Sequence, residues 1–360
     1  MQVKGKIQTQ GIKYAGSKLK IIPHIIKEIK ALQGVSTVLD GFSGTTRVSQ
    51  AFAQMGYHTT SNDMAIWSEV FATCYLIADK PTAYYQEIID ELNALKGFDG
   101  WFTKHYGGDE AQEKRPFQRK NTQKLDAIRC AVDKMSLPWE DQCVILTALI
   151  LGLDKVDSTI GHYAAYLSKW SVRSFNDLIL EVPMRFKIHT ENQVMRGDVF
   201  DAIRTNFYDF VYFDPPYGSN NEKMPSSRVR YQSYYHLWTS VILNDEAAVF
   251  GKANRREDTR DSQAVSVFEE FKKNEEDKFI ALEALKKLLQ EVQAKYVMLS
   301  YSSGGKATKE ELYDIIASSG KLLKVIEIDY KRNVMADMRW THEWVNSDGV
   351  HYEYLFLMEK

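Results

Sequence analysis

Short apolar runs that stop at small or acidic residues recur along the chain. "STVLDGFSG" (Ser36 to Gly44) reads as a strand entering a glycine-containing turn. "TRVSQAFAQMG" then repeats apolar positions at helical spacing and stops at a glycine. "YHTTSND" (Tyr57 to Asp63) reads as a second strand that closes on an acid. This strand–turn–helix–strand unit is the first half of a doubly wound sheet. From about Trp67 to Leu180 helical periodicity dominates, with a polar, basic interruption around Tyr106 to Gln123. Strand character returns at "NQVMRGDVF" and at "YDFVYFDPPYG". The polar stretch Ser219 to Asp261 follows; loops that long are usually functional or disordered. Two helical segments come next, the second being "DKFIALEALKKLLQEVQ". Three strand candidates come last, "AKYVMLSYSS", "LLKVIEIDYKR" and "VHYEYLFLMEK", the last two suited to pair as antiparallel edge strands. The pattern predicts an α/β fold: a core from residues 1–66 and 185–360, and a mostly helical insertion at 67–184.

Composition changes this picture little. The 360 residues suffice for one large domain, or for a core domain with a sizeable insertion. No apolar run approaches the roughly 20 residues of a membrane span. The opening "MQVKGKIQTQGIKYAG" lacks the apolar centre of a secretory signal, so a cytoplasmic protein is expected. Cys74, Cys130 and Cys143 show no C-x-x-C spacing and read as free thiols. "HEWVN" at His342 opens like a zinc-protease motif but lacks the second histidine, and no metal site is assigned. A net charge of −2 does not argue for nucleic acid, but charge is uneven. Lys114 to Arg129 carries six basic residues and one acid, and the first forty residues carry seven lysines against Glu28 and Asp40. Phosphate binding needs such local patches more than a high overall charge.

The candidate chemistry sits where strands stop. Asp40, Asp63, Asp198 and Asp214 all follow or end predicted strands. Each alone also suits an Asx turn or a helix cap. Four together point to one site, because ligands of open α/β sheets bind at the carboxyl ends of the strands. In "DGFSGTT", Gly41 and Gly44 allow a ligand close to the backbone, and Asp63 lies 23 residues after Asp40, the offset of an acid that meets ribose hydroxyls. An adenosine-containing cofactor fits. "KYAGSK" (Lys13 to Lys18) precedes a helical pattern; it is either a plain turn or a place where Lys18 and backbone N–H groups meet an anion.

"DPPY" (Asp214 to Tyr217) is more than a strand stop. An exocyclic amine on adenine is a poor nucleophile because its lone pair is delocalised. Acceptors on its N–H groups, the Asp214 side chain and the Pro215 carbonyl, would favour a tetrahedral nitrogen. Pro215 and Pro216 hold the turn rigid, and Tyr217 would stack on the base. Catalysis would rest on positioning and preorganised electrostatics toward in-line methyl transfer.

With these motifs in this order, the chain resembles the adenine-N6 DNA methyltransferases of the Dam-like (alpha) class. "KYAGSK" and "DGFSGTT" match their cofactor motifs, "MRGD" the strand-end motif before the catalytic strand, and "DPPY" the catalytic motif. The resemblance implies the S-adenosyl-L-methionine-dependent methyltransferase fold, a Rossmann-like, mostly parallel sheet with an antiparallel last strand. It implies a cofactor site of Tyr14, Lys18, Asp40, Phe42, Ser43, Gly44, Asp63, Asp198 and Asp214. Tyr14 and Lys18 would contact the methionine part, Asp63 the ribose and Asp198 the adenine. The chain departs from the pattern at Thr46, where the family usually has glycine and where a β-carbon would narrow the pocket. The substrate would be a flipped-out adenine in double-stranded DNA, and a restriction endonuclease encoded separately would be a partner. Arg228 and Arg230, among Tyr231, Tyr234 and Tyr235, are candidate DNA contacts in a loop at 219–261, although a solvated loop leading into an aromatic core helix is the simpler alternative. Lys114, Arg115, Arg119 and Lys120 are further candidates on what is equally a solvated helix face. An RNA adenine methyltransferase, a protein-glutamine methyltransferase, or a non-catalytic DNA-binding protein of the same fold would share these features.

Overall fold

A computed structural model describes residues 7–109, 115–167, 169–188, 190–218, 230–260, 266–329 and 352–360. The chain begins with α1 (Ile22–Ala31), β1 (Thr37–Asp40), α2 (Arg47–Gln54) and β2 (His58–Asp63). Five helices follow: α3 (Ile66–Ala72), α4 (Thr82–Ala94), α5 (Trp101–Tyr106), α6 (Arg119–Met135) and α7 (Trp139–Val156). The sheet resumes with β3 (Gln193–Arg196), α8 (Val199–Thr205) and β4 (Tyr208–Phe213). After α9 (Tyr231–Tyr234) and α10 (His236–Leu243) come α11 (Ile280–Glu291), β5 (Ala294–Ser302), α12 (Lys309–Ala317), β6 (Lys321–Asp329) and β7 (Tyr352–Glu359).

The seven strands form one sheet in the order β3-β2-β1-β4-β5-β7-β6. Only β7 runs against its neighbours, β5 and β6. This is the doubly wound, mostly parallel sheet with an antiparallel last strand. One expectation is corrected: β7 is inserted between β5 and β6, so of the two only β6 is an edge strand. The sequence shows the reason. β7 is apolar at nearly every position and is buried from Glu353 to Met358, whereas β6 carries Lys321, Lys324, Glu327 and Asp329 and has no fully buried residue.

Both faces of the central strands are covered, which is why β4 reads as a continuous apolar run rather than an alternating one. Phe210 and Tyr212 pack with Ile25 of α1 and Phe52 of α2. Val211 and Phe213 pack on the other face with residues of α8, α11 and α12, such as Ile203, Leu285 and Ile316.

A third core lies beside the sheet. It joins α3 to α7 with Tyr235, Leu237, Trp238 and Val241 of the α9–α10 segment. At its centre α7 is buried on almost all sides. Residues 230–260 are therefore not the long polar loop that composition predicts. They hold α9, α10 and a short hairpin pairing Val249–Phe250 with Arg255–Arg256, and the aromatic side chains point into this core. Tyr235 lies flat on Trp238, ring centroids 4.3 Å apart. The aromatic core helix is what stands there. Residues 219–229 of the proposed DNA loop lie outside the described residues.

Candidate active site

The order of the sheet reverses between β1 and β4, so the chain after β1 and the chain after β4 leave in opposite directions and open a crevice. Gly41, just past β1, donates its N–H to the Tyr212 carbonyl at 3.0 Å. A β-carbon at Gly41 would lie 2.7 Å from the Phe213 ring, so only glycine lets the two strand ends close up. Gly44 has φ +50°, in the left-handed region open to glycine, and donates its N–H to Asp63 Oδ2 at 2.8 Å. Ala65 N–H fills Asp63 Oδ1 at 2.9 Å. The turn after β1 is thus tied to the end of β2.

Thr46, at the departure from the expected glycine, has φ +60°, the conformation glycine would adopt freely. Its side chain is buried away from the crevice. The hydroxyl donates to the Thr45 carbonyl at 2.8 Å and accepts from Gln50 Nε2 at 3.1 Å. Thr46 does not line the cavity, so its β-carbon does not narrow it.

A cavity of about 400 Å³ fills the crevice. Its wall includes every residue of the expected cofactor set, Tyr14, Lys18, Asp40, Phe42, Ser43, Gly44, Asp63, Asp198 and Asp214, together with Pro216. Asp198 also caps α8, accepting from Phe200 N–H at 2.9 Å, so the cap and the wall are one residue. Phe268 and Glu269, on a short 3-10 turn, and Trp67 and Tyr231 add to the wall. Sequence reasoning missed Phe268, Glu269 and Trp67 because none belongs to a strand-end turn, and it placed Tyr231 in the DNA loop rather than in this wall. Phe268 stands edge-on to Phe42, centroids 5.1 Å apart. Tyr14 stacks on Tyr235 at 4.6 Å and on Tyr231 at 5.3 Å, and Ala15 N–H donates to the Tyr235 hydroxyl at 2.7 Å. The N-terminal motif is therefore held by the helical core.

The wall is rich in buried carboxyls. Asp40 is 1 % exposed; Ser49 donates to its Oδ2 at 2.6 Å, and Oδ1 is buried without a partner. Burial pushes Asp40 up to about 7, with Asp214 adding to the shift. Burial likewise raises Asp63 against its backbone donors, and raises Glu269 to about 7 against Tyr231 N–H and Arg230. Each prefers a proton or a nearby cation to bare charge. A ligand that brings positive charge and hydroxyls would satisfy them.

Asp214 sits in a polar knot at the end of β4. Lys18 Nζ lies 2.8 Å from Asp214 Oδ1 and 2.8 Å from Glu353 Oε1 on β7. Lys18 also donates to the Tyr217 hydroxyl at 2.6 Å. That hydroxyl in turn reaches Asp214 Oδ1 and, at 2.6 Å, Glu353 Oε1. Lys18 therefore lines the cavity with its ammonium committed to carboxylates of this chain, rather than held open for an anion. Burial pushes Asp214 up to about 6, with Lys18 opposing it and Glu353 reinforcing it. Pro215 is buried, and the Tyr217 ring packs on Tyr301 at 4.8 Å rather than lining the cavity.

The candidate DNA contacts are scattered. Arg230 is 4 % exposed, packed inside near Glu269, and does not present its guanidinium to solvent as expected of a phosphate contact. Arg119 pairs with Asp99, and Lys120 pairs with Asp177, all at the surface. Arg115 is half-buried. Lys114 and Arg228 lie outside the described residues.

A model of the family "D12 class N6 adenine-specific DNA methyltransferase" matches residues 14–334. Type II methyltransferase M.NlaIII of Neisseria lactamica is 27% identical over 361 residues, covering 96% of this chain and 99% of the relative. Modification methylase StsI of Streptococcus sanguinis is 26% identical over 97% of this chain and 52% of the relative. Type II methyltransferase M.FokI of Planomicrobium okeanokoites is 24% identical over 93% of this chain and 52% of the relative. The chain spans about half the length of the last two.

Proposed function

We propose a division of labour within this chain, which belongs to the D12 class of N6 adenine-specific DNA methyltransferases. Its reaction places a methyl group on the exocyclic amine of adenine in DNA, and the family match favours this over RNA or protein-glutamine methylation and over a non-catalytic role. S-adenosyl-L-methionine would supply a methyl group activated on a cationic sulfur. The cavity suits it: about 400 Å³ is within the usual range of small-molecule sites, and the unpaired Asp40 Oδ1 and the raised carboxyls of Asp63 and Glu269 call for cations and hydroxyls. Asp63 would hold the ribose, with Phe42, Ser43 and Gly44 along the donor and Asp198 beside its adenine. Tyr14 would close the methionine end. Lys18 would act on Asp214 and not on the donor's carboxylate.

The target base would leave the duplex, at a cost of roughly a few kcal/mol, and enter beside Asp214. Asp214 and the Pro215 carbonyl would accept its two N–H groups. The nitrogen would then take the methyl group that the donor supplies and pass one proton to the Asp214 carboxylate that accepts from it. Pro215 and Pro216 keep the turn fixed. For Tyr217 to stack on the base, its ring must turn from Tyr301 toward the cavity. The helical core formed by 67–184 and α9–α10 would hold the duplex, with Arg115 near phosphates, and Arg119 and Lys120 too once their surface ion pairs open. The relatives are named type II methyltransferases and modification methylases, which supports a place beside a separately encoded restriction endonuclease. The described residues contain no helix long and apolar enough to cross a membrane, and a cytoplasmic site of action suits a DNA substrate.

One observation carries this reading: a single cavity joins the cofactor-motif residues to Asp214 and Pro216. The test is transfer from labelled S-adenosyl-L-methionine to methylation-free plasmid DNA, with modified positions read by sequencing and Asp214→Ala run beside it. N6-methyladenine at one recurrent sequence, absent with the variant, is the expected result. Donor binding without transfer to DNA would count against the substrate assignment.

A further inference from the structure

Strand β7 brings to the active site a carboxylate that no motif marks. Glu353 is 5 % exposed and takes three donors on one oxygen. Onto its Oε1 converge Lys18 Nζ at 2.8 Å, the Tyr217 hydroxyl at 2.6 Å and Ser300 Oγ at 2.6 Å. Two of these, Lys18 and Tyr217, also hold Asp214 Oδ1. One ammonium and one phenolic proton thus serve two buried carboxyls.

A buried carboxylate keeps its charge only when paired and hydrogen-bonded. Around Asp214 the other ionisable groups are Tyr212, Tyr217, Tyr231, Asp40 and Glu353, and Lys18 is the cation among those that bear on it. The two carboxyls therefore compete for one positive charge. Both lie 2.8 Å from Lys18 Nζ, and Glu353 takes Ser300 Oγ as a further donor. Burial pushes its carboxyl up, but Lys18, Ser300 and Tyr217 outweigh this and hold it below its usual range.

We propose that Glu353 is a positioning residue for methyl transfer, dividing Lys18 and Tyr217 with Asp214 so that Asp214 is gripped through Oδ1 and offers Oδ2 to the adenine amine. The inference rests on the reading of Asp214 as the amine's acceptor. Ser300, which donates to Glu353, sets the reach of the carboxylate. Glu353 also keeps Asp214 from owning the ammonium outright, so the carboxyl that meets the amine remains the more basic of the pair.

Two readouts test this on the full-length protein. The first needs no activity: the Asp214 carboxyl is titrated by carbon-13 NMR, its signal identified by loss in Asp214→Asn. Glu353→Gln removes one negative charge from beside Asp214 and should lower its midpoint by on the order of one pH unit. Glu353→Asp keeps the charge and should leave the midpoint near that of the wild type. The second readout is the pH profile of methyl transfer. Glu353→Gln should move the acid limb of kcat/KM in the same direction and lower the plateau of kcat by about ten- to a hundredfold through misplacement. Glu353→Asp should lower the plateau alone. Melting temperature and S-adenosyl-L-methionine affinity are measured for each variant. An Asp214 midpoint unmoved in a normally folded Glu353→Gln protein would overturn the proposal. So would a lower plateau with an unmoved acid limb, because a purely structural role predicts that result. No transfer to DNA by the wild type, with the midpoint shift still seen in Glu353→Gln, would sink the functional reading and the positioning role with it, and leave only the shared ammonium standing.

Discussion

The carboxyl edge of the sheet and the helical core beside it both bury acids, but they treat them differently. Three buried acids of the helical core, Asp126, Asp141 and Asp157, are satisfied. Asp126 on α6 accepts from Gly100, Phe102 and Thr103 N–H groups at 2.9 to 3.0 Å and from the Thr103 hydroxyl at 2.6 Å, which caps the start of α5. Asp157 pairs with Lys13 at 2.7 Å and with Arg173 at 2.7 Å. Asp141 takes the hydroxyls of Tyr84 and Tyr85. At the sheet edge Asp40 keeps an oxygen without a partner, and Asp40, Asp214 and Glu269 are pushed toward neutrality. A fully paired buried acid holds a fold together, whereas an underpaired one is a place for something else to bind.

That contrast can be broken at several points. The largest effect is expected from Asp214→Ala, which should cost about a hundred- to a thousandfold in kcat, the scale of losing one preorganised contact to the reacting group, with DNA affinity kept. Unchanged turnover would remove Asp214 from the chemistry. Next comes Asp126→Ala. It strands four donors, three of them buried, and should cost about 3 kcal/mol in urea unfolding. Asp40→Asn should behave in the opposite way, stabilising the donor-free protein at pH 8 by on the order of 1 kcal/mol while weakening donor binding. If both variants destabilise equally at pH 8, the two regions do not differ as described.

The same contrast has a pH signature. Asp40 and Glu269 sit at about 7 and Asp214 at about 6, all above ordinary carboxyl values. A raised carboxyl lets the folded state bind more protons than the unfolded state. Its stability is intact below about pH 4 and declines as pH rises through the folded value. The melting temperature of the donor-free protein should therefore fall between pH 5 and pH 8 from these groups, and saturating donor should restore more of it at pH 8 than at pH 5. A steady rise over that window would contradict the assignment. The smallest effect belongs to the surface. Arg119→Ala and Lys120→Ala should each flatten the dependence of DNA affinity on salt by about one unit of slope, with turnover at saturating DNA unchanged.

How much of this was legible in the sequence follows from the same geography. Asp40, Asp63, Asp198 and Asp214 were readable because a strand stop, a small residue and an acid are local signals, and parallel strands carry such stops to one edge. Glu353 was not readable. It sits in an apolar strand, 136 residues from Tyr217. Arg230 and Tyr235 misled in the opposite sense. Basic and aromatic residues together suit a phosphate contact and also a buried stack, and local composition does not say which way a helix faces. Tyr231 and Tyr235 stand one helical turn apart and stack on Tyr14, a partner far away in the chain. Both misses are tertiary facts laid over ordinary local patterns.

The placement of β7 has a consequence for how the enzyme is made. A growing chain that has left the ribosome as far as β6 already owns Lys18, the strand-end acids and the DPPY turn. It lacks the strand that fills the slot between β5 and β6, and with it Glu353. Without that strand β5 has no partner on that side and β6 has none in the sheet. Lys18 has only Asp214 for company, and the tyrosine has one carboxylate to hold it. The active site is thus completed only when β7 is in place, by the segment that also closes the sheet.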